Sequence, residues 1–236
     1  MRILAFESSA KAASVALLSD GRLTGESFLN CGQTHSVTLM KLAEDLLIGC
    51  GLRAEDVDLA AWANGPGSFT GVRIGAAAAK GFCWGREIRA LPVSTLEAMA
   101  WNVVDLEGLI LCCMDARRSQ VYTALFRAEH GRLLRLREDR AISLDELAQD
   151  LLQFDEPIRV VGDGALLTWT TLRRRVDRLI LISEHLRQQR AAGVALAGWH
   201  AALLGKAESA ALSSPNYLRL SQAERERLAK ESRKGE

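Results

Sequence analysis

Residues 65–75 read GPGSFTGVRIG, with four glycines, a proline and two hydroxyl residues flowing into an alanine run. Glycine-rich turns that open helices often cradle phosphates, because free backbone N–H groups and the positive helix end both favour an anion. The spacing here fits neither of the common nucleotide loops. Gly71 is followed by Val72 and Arg73, so the lysine and hydroxyl of a P-loop are missing. Gly65, Gly67 and Gly71 read GxGxxxG, one residue too long for the dinucleotide turn.

Two aspartates are further candidates. Asp115 closes the apolar run LILCCM at 109–114, at a position where α/β folds place ligand groups. It can act as a carboxylate base or pair with Arg117 or Arg118 to fix the turn. Asp163 stands between Gly162 and Gly164, a composition that suits a tight turn. The five cysteines (31, 50, 83, 112 and 113) form no CxxC pair, and the four histidines (35, 130, 185 and 200) form no HExxH or HxxxH. Neither a disulfide framework nor a metal site is expected from that spacing. Cys112 and Cys113 alternate across a strand, so a buried small hydrophobe is the default for both. His35 opens a helix, where it serves as N-cap or interface contact, and no nucleophile–base pair emerges from spacing.

Charge adds little direction. The chain of 236 residues has a formal net charge of +1, with 48% apolar and 25% charged residues, as in an ordinary globular protein. Arginines 173, 174, 175, 178, 187 and 190 stand against Asp177 and Glu184, a solvated face or a contact for a phosphate backbone. The apolar stretch at the start is too short for a signal peptide, and no run is long enough to span a membrane, so a cytoplasmic protein is expected.

The elements that position these residues occur in two cycles. Ile3–Glu7, Ser14–Leu18 and Arg22–Phe28 read as strands, with Asp20-Gly21 as a hairpin turn. A helix at 35–48, a strand at Asp58–Ala63, and helices near 70–84 and 94–99 follow. The second cycle has strands at Leu109–Met114, Gln120–Arg127 and Leu133–Arg140, then a helix opened by a Ser143…Glu146 capping box and a strand at Arg159–Val161. Beyond it, 191–205 and 221–235 read as helices, the latter charged. Two similar α/β lobes joined near residue 105 explain this order better than one long sheet.

The helix after the glycine loop carries Gly71, Gly75, Ala79 and Cys83 every four residues, with Ala78 beside them and Arg73 and Lys80 opposite. Glycine inside a helix costs about 0.5–1 kcal/mol against alanine, so the ridge implies close approach of another backbone. That backbone belongs either to the chain's own sheet or to a partner. On the 35–48 helix, Leu39, Leu42, Ala43, Leu46, Leu47 and Met40 cover an arc of about 160°, where one core face needs about 100°. Both helices are therefore candidates for an interface.

The stretches MRILAFESSAKAASVALL, HSVTLMKLAEDLL, GPGSFTGVRIG, PVSTLEAMA, DARRSQVYTALF, GDGA and PNYLRL resemble, in this order, the TsaB (YeaZ) family. The resemblance runs from Met1 to about Leu220 and implies two RNase H-like lobes of the sugar-kinase, chaperone-ATPase and actin type. It implies an N-terminal lobe at 1–105 carrying the partner-binding helices, a second lobe at 106–214 and a terminal segment at 215–236. The implied role is a non-catalytic partner in forming threonylcarbamoyladenosine at position 37 of tRNAs reading codons that begin with A. Its implied partners are a catalytic TsaD-like subunit, a TsaE-like ATPase and, through the complex, tRNA. The expected interface comprises His35, Leu39, Leu42, Leu46, Gly71, Arg73, Gly75, Ala78 and Ala79, and the same surface would serve a homodimer of the isolated protein. ATP or ADP would be used by the complex, at the subunit joint, with no cofactor held by this chain alone.

Two departures qualify the comparison. The HxxxH metal pair of TsaD is missing, and the first strand ends in Glu7, where nucleotide-binding relatives have an aspartate. Glu7 is either a vestige that bonds its own turn or an orienter of water around a cation. Asp163 matches the position where relatives contact a nucleotide. The competing class is an independent enzyme, a metallopeptidase or an ATP-hydrolysing RNase H-like protein, which the missing metal and phosphate motifs disfavour.

Overall fold

The computed structural model describes residues 1–207 and 214–218. The first lobe runs β1 (Arg2–Glu7), β2 (Ala13–Ser19), β3 (Arg22–Leu29), α1 (His35–Gly49), β4 (Leu59–Ala63), α2 (Phe69–Cys83), β5 (Arg89–Val93) and α3 (Thr95–Trp101). The second runs β6 (Gly108–Asp115), β7 (Gln120–Glu129), β8 (Arg132–Ser143), α4 (Leu144–Leu151), β9 (Ile158–Val161), α5 (Ala165–Leu172) and β10 (Leu179–Leu181), followed by α6 (Glu184–Arg187) and α7 (Ala191–Leu203). The sheets are ordered β3-β2-β1-β4-β5 and β10-β9-β6-β7-β8, the same order read from opposite edges. In each, the first three strands are antiparallel neighbours and the next two add in parallel. The duplicated order expected from the sequence is the observed one.

Central strands buried on both faces read as unbroken apolar runs, and β1 and β6 do so because helices cover both sides. Leu4 and Phe6 of β1 face α1 and α2, while Ile3 and Ala5 face α7. In β6, Leu109, Leu111 and Cys113 meet α4 and α5, while Ile110, Cys112 and Met114 meet α3. Cys112 and Cys113 are thus buried in opposite layers, as alternation requires. Among the described residues, no helix is long and apolar enough to cross a membrane.

The helices α3 and α7 cross between the lobes. α3 and the turn after it lie against the second sheet through Leu96, Met99 and Val103, while α7 covers the first through Val194 and Ala195. Their own crossing is close: a Cβ on Gly193 would lie 2.0 Å from the Ala98 carbonyl oxygen. Three elements were not legible in the sequence. β5 contains Pro92, which reads as a break, yet the strand lies at the sheet edge where a missing N–H is tolerated. α5 (ALLTWTTL) has no charged face to mark a helical period, and β10 has only three residues. The charged helix expected at 221–235 lies outside the described residues.

Candidate functional site

The strand ends of the two lobes face a common cleft of about 670 Å³. Its walls include Ser9, Lys11, Ser68, Asp115, Arg117 and Asp163. Glu7 ends β1 and Asp115 ends β6, at equivalent places in the two sheets, and each carboxylate accepts from the backbone two residues on. Ser9 N–H donates to Glu7 Oε1 at 2.6 Å, and Arg117 N–H donates to Asp115 Oδ1 at 2.7 Å. The Arg117 guanidinium also stands 3.6 Å from Asp115 Oδ2, so of the two readings of Asp115 the structure has the paired one.

Glu7 is fully buried, and its Oε2 has no hydrogen-bond partner. Burial pushes its carboxyl up to about 7, with the Ser9 hydrogen bonds opposing and nearby Asp163 adding to the rise. A buried carboxyl that takes up a proton near neutral pH and is held in its own turn is poorly suited to holding a cation, and Glu7 is not among the residues that line the cleft. Asp163 is exposed in the cleft but hemmed in by protein, which raises its carboxyl above the ordinary range. Gln189 Nε2 donates to its Oδ1 at 2.8 Å. Its two glycines do more than turn the chain: a Cβ on Gly162 would meet the Cys113 carbonyl at 2.1 Å, and one on Gly164 the Met114 carbonyl carbon at 2.7 Å. The GDG stretch therefore lies flat on β6 and presents Asp163 beside Asp115.

Linkage gives a test of this geometry. The folded state holds the Glu7 proton up to about pH 7, whereas the unfolded chain releases it near 4.5. Stability attributable to Glu7 is therefore full below 4.5, falls as pH rises to about 7, and stays low above it. The loss amounts to about 3 kcal/mol at one pKa unit per 1.36 kcal/mol. Glu7→Gln, a permanent mimic of the neutral acid, should lack that fall and be the more stable protein at pH 8. Urea midpoints of both proteins from pH 4 to 8 check this, and parallel profiles would refute it.

The glycine loop is used by the chain itself. Ser68 caps α2 by accepting from Gly71 N–H at 3.3 Å, and Ser68 N–H donates to the Ser9 carbonyl at 2.7 Å. A Cβ on Gly67 would lie 2.6 Å from the Ser9 carbonyl oxygen, and one on Gly71 2.0 Å from that of Ser8. On Gly75 it would lie 2.8 Å from Ser8 Oγ. The small ridge thus packs on the β1–β2 turn, and Gly71, Gly75, Ala78 and Ala79 are buried. This corrects the expectation that these four offer surface to a partner. Leu39 is likewise in the core, and Leu42 and Leu46 are half-buried against it.

His35 is not the N-cap; that residue is Thr34. Instead, His35 Nε2–H donates to the Ala10 carbonyl at 2.8 Å and ties α1 to the β1–β2 turn. Arg73 is exposed but engaged, with its guanidinium 3.8 Å over the Phe69 ring and its Nε–H donating to the Tyr217 hydroxyl at 2.9 Å. In the arginine-rich run, Arg173 stacks on Trp169 and Arg175 pairs with Asp145. Ser8, Ser9, Gln189 and Tyr217 complete the site and escaped the sequence reading, because only tertiary structure brings them to the loop.

The family model described as "TsaD: tRNA N6-adenosine threonylcarbamoyltransferase" matches residues 30–226. The tRNA threonylcarbamoyladenosine biosynthesis protein TsaB of Bacillus subtilis is 33% identical over 95% of this chain and 96% of its own. The chain belongs to the TsaB (YeaZ) family. Its Escherichia coli relative of the same description is 34% identical over 65% of this chain and 67% of its own. YeaZ from Pseudomonas aeruginosa superposes with a TM-score of 0.79 at 27% identity, covering 92% of this chain and 99% of that one. A hexokinase of the ROK type from Thermus thermophilus shares the fold alone, with a TM-score of 0.50 at 14% identity over 87% of this chain and all of its own.

Proposed function

We propose that the chain is a non-catalytic subunit in tRNA threonylcarbamoyladenosine biosynthesis, pairing with a TsaD-like catalytic subunit and a TsaE-like ATPase. The relatives' names supply the pathway. The observation that carries the non-catalytic role is the occupied glycine loop. Ser8 and Ser9 lie against Gly67, Gly71 and Gly75, where a phosphate cradle would need open space. The paired Asp115 and the buried Glu7, held by its own turn, point the same way. ATP or ADP then belongs to the assembled complex at the subunit joint, and tRNA is reached through the complex, with the exposed Arg174 among the candidate contacts.

With the ridge turned inward, the partner surface falls on the outer faces of α1 and α2. Val37, Met40 and Ile48 are 71%, 44% and 67% exposed, with the ion-paired Lys41 and Glu44 between Val37 and Ile48 on the outer face of α1. Arg73 and Ala77 are exposed on α2, which packs beside it. Exposed apolar side chains flanking a charged pair suit a partner surface, on the TsaD-like subunit or, in its absence, on a second copy. Val37→Asp with Ile48→Asp should leave the fold within about 0.5 kcal/mol, as exposed substitutions do. The double variant should weaken association with the TsaD-like subunit by at least tenfold and shift any homodimer to monomer. Co-purification and light scattering read this, and full association by a folded double variant would remove the assignment.

A further inference from the structure

Residues 214–218 return to the first lobe and lie across the start of α2. Asn216 N–H donates to the Asn64 carbonyl at 2.7 Å. The Tyr217 ring packs on Phe69 at a tilt of 32° with centroids 4.7 Å apart, and its hydroxyl accepts from Arg73. Gly65 is shaped for this passage: at φ +114, a Cβ there would meet the Asn216 carbonyl oxygen at 2.3 Å. Asn216, Tyr217 and Leu218 also close that end of the inter-lobe cleft.

The geometry points to a displaceable strap: Asn216 and Tyr217 cover the Phe69–Arg73 end of the α2 face, and the partner subunit competes with them for it. This rests on the proposed pairing through α1 and α2 and adds its regulation. Among the described residues, the contacts that hold the strap are few. One backbone hydrogen bond, one side-chain hydrogen bond, a tilted ring contact and an Arg73 guanidinium 5.8 Å from the Tyr217 ring centroid must offset the ordering entropy of five residues, a balance that leaves the docked and released states close in free energy. What is covered has the composition of a binding hot spot. Arg73 and Phe69, released from Tyr217, place a guanidinium and an aromatic ring on exposed helix surface beside the outer face of α1. A partner that reaches Arg73 must remove the hydroxyl that now occupies its Nε–H.

The test uses the full chain in three forms. Tyr217→Ala removes the ring contact and the acceptor, Asn216→Pro removes the backbone donor, and Tyr217→Phe keeps the ring as a control. In the free protein, Tyr217→Ala and Asn216→Pro should speed amide exchange in residues 64–72 at least threefold. Both should also strengthen association with the TsaD-like subunit at least threefold, while Tyr217→Phe stays nearer to wild type. Unchanged exchange, or association that is equal or weaker in both variants, overturns the strap while leaving the pairing standing. Absence of association in every form, wild type included, overturns the pairing and the strap with it.

Discussion

Gly75→Leu is expected to unfold the first lobe rather than to dissociate folded subunits. The first added carbon already lies 2.8 Å from Ser8 Oγ, and three more must go beyond it into a buried space. Ser8 Oγ is not free to leave at no cost, because it donates to the Gly71 carbonyl at 2.9 Å within the buried interior. Overpacking of a closed core costs typically 1–3 kcal/mol, and this site combines it with a broken buried hydrogen bond, so a loss of more than about 3 kcal/mol follows. The alanine variants separate backbone contact from side-chain contact. Gly71→Ala puts its methyl 2.0 Å from the Ser8 backbone oxygen, which cannot move without shifting the β1–β2 turn, and should cost nearly as much. Gly75→Ala meets only a hydroxyl, and the gain in helix propensity of about 0.5–1 kcal/mol offsets the crowding. Circular dichroism melts with size-exclusion chromatography decide. A folded, monomeric Gly75→Leu would return the ridge to the surface.

That ridge marks a limit of what the sequence holds. Glycine and alanine every four residues demand a close neighbour, and the demand is the same whether the neighbour is the chain's own turn or a partner helix. The choice depends on Ser8, whose sequence distance from Gly71 leaves no local signal. The lobes themselves were legible because their signals are local. The apolar runs inside β1 and β6, the Asp20-Gly21 and His130-Gly131 turns, and the Ser143–Glu146 capping box each specify their element without reference to the rest. The cleft was half legible. Glu7, Asp115 and Asp163 stood out at strand ends and between glycines, but the burial of Glu7, which raises its carboxyl to about 7, depends on tertiary structure. Val37 and Ile48, exposed on the outer face of α1, were overlooked for a related reason. The wide apolar arc gave no sign of which edge would face water, and the structure turns Leu39 inward and Val37 outward.

Glu26→Ala should produce the other large loss, by undoing the attachment of α7. The carboxylate of Glu26 on β3 is nearly buried and holds three donors besides a charge partner's second contact. Its Oε2 accepts from Arg190 Nε at 3.0 Å and from the same guanidinium's terminal nitrogen at 2.5 Å. Its Oε1 accepts from Ser14 Oγ and from Ala192 N–H, both at 3.1 Å. Ser14 Oγ accepts in turn from Ala191 N–H at 3.2 Å, so β2 and β3 together cap the first turn of α7. Arg190, the N-cap residue, has no side-chain oxygen to do so itself. Removing the carboxylate strands a half-buried guanidinium and frees a helix donor. Breaking one partner of a buried pair costs about 3–5 kcal/mol, and the partial exposure of Arg190 places this case at about 3 kcal/mol. The consequence reaches beyond the cap. α7 follows the second lobe in sequence but covers Ile3, Ala5, Leu18 and Ala61 of the first sheet, so loosening its start exposes that face. Glu26→Gln, which keeps the acceptor oxygen and loses the charge, should fall between wild type and alanine. Denaturant midpoints with amide exchange along 191–203 measure both effects. Protection of α7 that survives Glu26→Ala unchanged would mean that Val194, Ala195 and their apolar neighbours hold the helix without the latch.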